Sequence, residues 1–130
     1  MNNPEEEDFK IMETIEEKEK VIDIYFTMIV GDYYFIKCLN EFKDQSGFGI
    51  ESFGILFYQD FEIWDEFRCK ENEVALLDYP AAEKDRIGYL DFQQFYPYVY
   101  QYGQRFIQKH PERKEEVTRL LKEIKESWGI

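Results

Sequence analysis

FGIESFGILFY, residues 48–58, is where the chain changes its period. Phe, Ile and Tyr crowd this stretch and helix formers are scarce, which predicts one strand near residues 50–57. Upstream the spacing is helical. Thr14 and Glu17 stand three apart, the pattern of a capping box, and open a helix over about 14–29. Its apolar positions Ile15, Ile22, Tyr25, Phe26 and Ile29 share one face, and Gly31 suits a left-handed stop. Asp32 is placed to cap a second helix running to about Phe42, with Phe35, Ile36, Leu39 and Phe42 at intervals of three and four. DQSGFG then reads as a turn.

Downstream, FEIWDEFRC (61–69) alternates acidic and apolar residues, Lys70-Glu71-Asn72 offers a turn, and EVALLDY (73–79) is a second β-like run, together a hairpin. PAAEKD (80–85) reads as a loop and Ile87–Leu90 as a further short strand. Asp91 caps a helix whose inward stripe is Phe92, Phe95, Tyr96, Val99, Phe106 and Ile107, with Pro97 expected to kink it. Pro111 fits the first turn of a last helix with Val117, Leu120, Leu121, Ile124 and Trp128 on one face and Gly129 at its end. The expected fold is α+β: a small antiparallel sheet of three to four strands in the middle of the chain, packed by two N-terminal and two C-terminal helices. With no repeat or low-complexity linker, residues 1–130 read as one domain, the first ten frayed.

Composition narrows the function. Apolar residues make up 44% of the chain and aromatics 18%, enough packing material for a folded core despite 34% charge. The net charge of −12 sets the surface against phosphate backbones and anionic membranes, so neither nucleic acid nor membrane is an expected partner. No uncharged run, Ile24–Gly31 included, reaches the roughly 20 residues of a membrane span. The start, MNNPEEEDF, is acidic where a secretory signal is basic, and Cys38 and Cys69 form no zinc or CxxC spacing. A reducing bacterial-type cytoplasm fits, with one disulfide left open. The charge is also directional: residues 1–26 and 60–91 each net −6, residues 27–59 net −2 and residues 92–130 net +2.

Catalytic patterns are weak. His110, the only histidine, precedes Pro111 at a helix junction, where a capping or solvent-facing role is the simpler reading. Ser46, Ser52 and Ser127 lie in no nucleophile motif, and Gly47-Phe48-Gly49 is half of a dinucleotide fingerprint, better read as turn geometry. Carboxylate pairs such as Asp60 with Glu62, or Asp65 with Glu66, arise by chance among 28 acids, and no EF-hand loop is present. No cofactor or metal pattern emerges, and no catalytic residue is assigned. Of the evenly spaced tyrosines, Tyr96 and Tyr100 are expected to pack, and Tyr98 and Tyr102 to be free for contact.

The acidic stretch from Asp60 to Asp78 carries the functional signal, because its acids alternate with Phe61, Trp64 and Phe67. On a hairpin one set would be buried while Glu62, Glu66 and Glu73 faced a partner, with Asp60 and Glu71 near the turns. Charge steers encounter with a basic protein and aromatics anchor it, so Asp60, Glu62, Trp64, Asp65, Glu66, Glu71 and Glu73 are the expected partner-binding residues.

GDYYFIKCLNEF leading into SGFGIES, the acidic middle ending in a β-run, and YLDFQQFYPYVYQYGQRFIQKHPERKEEVTRLLKEI resemble the contact-dependent growth inhibition immunity proteins, specifically the ribonuclease toxin immunity type, over about residues 31–125. The resemblance implies a cytoplasmic, non-enzymatic protein that binds the toxic carboxy-terminal domain of a delivered effector, a ribonuclease, in a 1:1 complex. A cationic RNA cleft is a natural target for an acidic inhibitor. Three alternatives stay open on the residues alone: an adaptor for another basic protein, a nucleic-acid mimic, and a small carboxylate enzyme.

Overall fold

The computed structural model describes residues 9–31, 34–80 and 83–130, and in it the change of period at residue 48 marks the entry into a five-stranded sheet. The strands are β1 (Lys10–Ile11), β2 (Phe48–Ile50), β3 (Phe53–Phe57), β4 (Glu73–Asp78) and β5 (Arg86–Asp91), ordered β1-β5-β4-β3-β2. The helices are α1 (Ile15–Gly31), α2 (Phe35–Lys43), α3 (Phe92–Lys109) and α4 (Lys114–Ser127). The expected Asp32 cap, the first eight residues and Ala81-Ala82 of the 80–85 loop lie outside the described residues.

The α+β class holds, and the sheet differs in three respects from the sequence reading. First, it is mixed: β1 runs parallel to β5, and Lys10 N–H and Met12 N–H donate to the carbonyls of Asp85 and Ile87. Lys10 is therefore paired, not frayed; two residues are too short for any alternation to show. Second, the single strand expected over 50–57 is a hairpin, β2 with β3, turned by Glu51-Ser52. Glu51 takes the left-handed conformation (φ 53°) without the Asn-Gly or Asp-Gly pair that signals such turns. Third, FEIWDEFRC forms no strand. The antiparallel neighbours of β4 are β3 and β5, which occupy both its edges and leave no place for residues 61–69.

Alternation along the strands sends two sets of side chains to opposite faces. Ile55, Phe57, Val74, Leu76 and Leu90 belong to the main core with the helices. Leu56, Ala75, Leu77, Ile87 and Tyr89 form a second cluster on the other face. The main core is built largely from rings: Phe26 stacks on Tyr102 at 4.9 Å, Phe35 on Phe106 at 4.9 Å, and Phe92 on Trp128 at 4.8 Å. Such offset and edge contacts add to the area that the aromatics bury.

Helix starts follow the sequence where its caps are described. Glu17 N–H donates to Thr14 Oγ1 (3.2 Å), and Asp91 and Gln94 satisfy each other's backbone donors reciprocally at the start of α3. Pro97 sits inside α3 without interrupting it. Tyr102, expected to be free for contact, is buried and donates to Asp23 Oδ1, whereas Tyr100, expected to pack, is half exposed. The stripe runs Phe92, Phe95, Val99, Tyr102, Phe106, and steps of three and four carry Tyr102 inward. At Gly103 a Cβ would lie 2.8 Å from Leu121 Cδ1, so glycine lets α3 and α4 close on each other. Ile15, assigned to the inner face of α1, is exposed at its first turn.

Candidate functional site: the loop between β3 and β4

Fifteen residues, 58–72, separate β3 from β4. Connections of this length inside a compact domain are uncommon and tend to carry function. The segment starts with one 3-10 turn, Tyr58–Asp60, and then folds back over the sheet face opposite the helices. Phe61, Phe67 and Cys69 turn inward to join Leu56, Ala75, Leu77, Ile87 and Tyr89, with Phe9 meeting Phe67 edge-on at 5.1 Å. The aromatic and acidic alternation thus belongs to a lid, not to a strand.

Hydrogen bonds fix the lid locally. Asp60 Oδ2 accepts from Phe57 N–H (2.8 Å), and the Arg68 guanidinium lies 3.5 Å over the Tyr58 ring while its Nε donates to the Tyr58 carbonyl (3.1 Å). Tyr89 Oη donates to the Phe67 carbonyl from the sheet below (2.7 Å). Burial, then the nearby Cys69, Asp65 and Glu73 charges, push the Tyr89 hydroxyl up to about 12, so it stays protonated as a donor at ordinary pH. At the tip, Asp65 N–H donates to the Glu62 carbonyl (3.1 Å), closing a turn whose central residues are Ile63 and Trp64. Asp65 Oδ1 accepts from Phe67 N–H (2.8 Å), the side-chain-to-backbone contact by which aspartate reverses a chain and competes with extended pairing.

The expected partner-binding residues therefore divide. Glu62, Trp64, Asp65 and Glu66 are all exposed at or beside the tip. Asp60 is exposed too, but one of its oxygens is committed to Phe57. Glu71 stands in the turn that re-enters β4, and Glu73 is half-buried with Oε1 accepting from Lys70 N–H (2.9 Å), so the outward presentation expected for Glu73 is corrected to a role in closing that turn. Among the described residues Glu62, Glu66 and Glu71 make no ion pair. Ile63, at 82% exposure, was not among the expected residues; beside Trp64, at 79%, it forms an apolar pair on the surface. Two adjacent apolar residues cannot both face inward on a strand, and that was the available signal.

Other chemistry is sparse. No group of three His, Cys, Asp or Glu side chains among the described residues can hold a metal ion. A cleft of about 560 Å³ between Tyr58, Asn72 and Trp128 is lined by one acid, Glu71, not by a facing carboxylate pair. Cys38 and Cys69 are both free thiols, the first in the core beneath the helices and the second in the cluster across the sheet, which separates them as disulfide partners. Burial, with the Glu73 charge next, pushes the Cys69 thiol up to about 11, away from the reactive thiolate form. His110 closes α3, its backbone N–H donating to the Phe106 carbonyl and its Nδ1 lying 3.4 Å from Glu112. No helix among the described residues is long and apolar enough to cross a membrane.

The chain is thus an acidic α+β domain whose fifteen-residue loop is braced against the sheet and faces solvent at its tip. The family is settled by comparison: residues 18–121 match the CDI immunity protein family, and the chain belongs to it. CDI immunity proteins neutralise a cognate toxin and are inhibitors rather than enzymes. Neither the curated proteins nor the solved structures yield a match.

Proposed function

We propose that this chain neutralises a ribonuclease toxin domain in the bacterial cytoplasm by docking the acidic tip of the 58–72 loop on the toxin's cationic RNA-binding cleft, as a 1:1 complex. The observation that carries the reading is the exposed group Glu62, Asp65 and Glu66 around an apolar tip, with no compensating cation paired to Glu62 or Glu66 among the described residues. A cleft that holds RNA phosphates offers the matching charge, and carboxylates in its place block substrate entry. Charge of this kind raises the association rate above the neutral range of about 10⁵–10⁶ M⁻¹s⁻¹ and makes it fall with salt.

The test is co-expression with the cognate toxin domain. Rescue of growth, recovery of a 1:1 complex and loss of RNA cleavage by the purified toxin are the expected results. Rescue from a toxin that cleaves no RNA would retain immunity and overturn the ribonuclease target. Replacing Glu62 and Glu66 with lysine should slow association and flatten its salt dependence while leaving the fold intact. Unchanged kinetics would move the docking surface elsewhere.

A further inference from the structure

We propose that Ile63 and Trp64 are the anchor of the toxin complex and enter an apolar pocket on the toxin rimmed by lysine or arginine side chains; this rests on the toxin-binding reading above and specifies the chemistry of the partner. Other large apolar residues on the described surface, among them Ile11, Tyr34, Tyr79 and Tyr100, are at most half exposed, whereas these two adjacent residues are almost wholly in solvent. Nothing in the fold requires them there. The inward side chains of the same loop, Phe61, Phe67 and Cys69, already cover the sheet, and neither Ile63 nor Trp64 belongs to either apolar cluster.

The tip is also preformed. The Glu62–Asp65 turn, the Asp65 contact to Phe67 and the Arg68 clamp on Tyr58 hold it before any partner arrives. Binding then orders few additional groups, so the buried area of an indole and a sec-butyl group translates into affinity with little entropic loss. Tryptophan in the middle of an interface, surrounded by polar contacts that exclude water, is the composition of a binding hot spot.

Charge selects the occupant. Glu62, Asp65 and Glu66 flank the pair, so a second copy of this chain would bring like charges together across the same tip, and the net charge of −12 opposes that approach overall. An anionic bilayer is repelled for the same reason. A cation-rimmed apolar pocket satisfies both the indole and its carboxylate border. Division of labour follows: the acids govern the rate of encounter and the apolar pair governs how long the complex lasts.

The experiment uses this chain labelled with 5-fluorotryptophan, which gives two fluorine resonances, from Trp64 and Trp128, assigned with Trp64→Phe. On adding the unlabelled, catalytically inactivated cognate toxin domain, the Trp64 resonance should move well beyond that of Trp128. Trp64→Ala and Ile63→Ala should fold normally, and Trp64→Ala should weaken the complex about 30-fold or more, chiefly through faster dissociation. A complex that forms with the Trp64 resonance unmoved, or that Trp64→Ala leaves within about twofold of wild-type affinity, overturns the anchor and leaves toxin binding standing. Movement of that resonance with the chain's own concentration, without toxin, assigns the tip to a second copy instead. Absence of any complex with the wild-type chain brings down the toxin-binding reading itself and the anchor with it.

Discussion

The two faces of the sheet are covered by different means. On one, four helices bury Phe26, Phe42, Phe57 and Phe95 in a core held by side-chain packing. On the other, a single fifteen-residue loop lays Phe61, Phe67 and Cys69 over Leu56, Leu77 and Ile87, held by a few hydrogen bonds and one guanidinium on a ring. The helical face supplies stability, and the loop face is free to vary at outward residues such as Ile63 and Trp64, which belong to neither apolar cluster. A family whose members each neutralise a cognate toxin gains from that separation: on the proposed docking, the tip can change without unfolding the domain.

Substitutions should sort by face. The largest effect is expected for Phe57→Ala, which removes a ring touching Phe42, Phe92 and Trp128 and should cost about 3–5 kcal/mol in denaturant unfolding. A loss near 1 kcal/mol would show that the helical face is not the dominant core. Arg86→Ala probes the join between the faces: Arg86 reaches the buried Asp78 at 2.5 Å and Glu17 at 3.7 Å. Leaving Asp78 without its partner should cost on the order of 2 kcal/mol, reduced from a fully buried pair because the guanidinium is partly exposed.

Smaller effects belong to the lid. Phe67→Ala should lower stability by about 1–2 kcal/mol and toxin affinity by more, since it loosens the tip's support. Tyr89→Phe should cost about 1 kcal/mol near pH 8 by deleting the bond to the Phe67 carbonyl. The sign of its pH dependence is fixed by the raised hydroxyl: the folded state prefers neutral Tyr89, so the wild-type advantage is complete below pH 10 and is lost as pH rises through about 12. An advantage that grows across that range would contradict the bond. Smallest of all, Trp64→Ala should change stability by no more than about 0.5 kcal/mol, the separation of binding from folding in its plainest form.

The same division explains what the sequence reveals. Helical stripes such as Val117, Leu120, Leu121 and Ile124, and reciprocal caps such as Asp91 with Gln94, are encoded within a few residues and read directly. β1 and the lid depend on partners far along the chain: Lys10 on Asp85, Phe9 on Phe67, and Tyr58 on Arg68. Alternation in FEIWDEFRC suggested a strand because side chains of a lid and a strand can share a period over a short run, and only the Asp65 turn and the adjacent Ile63-Trp64 pair argue otherwise. VALL in β4, apolar without interruption, already implied a strand covered on both faces, which a sheet with helices on one side alone does not provide. Glu62, Asp65 and Glu66 are exposed as the charge pattern suggests, while Glu73 is half-buried, closing a turn through a bond to Lys70 that has no sequence signature.

The central claim, that the outer surface of the 58–72 loop meets the toxin, is tested most directly by amide hydrogen exchange on the free chain and on its complex with the inactivated cognate toxin domain. The account predicts that added protection concentrates between Phe61 and Glu71, with the amides of α1 and α4 unchanged. Protection confined to the helical face, with residues 61–71 exchanging as fast in the complex as in the free chain, would contradict it.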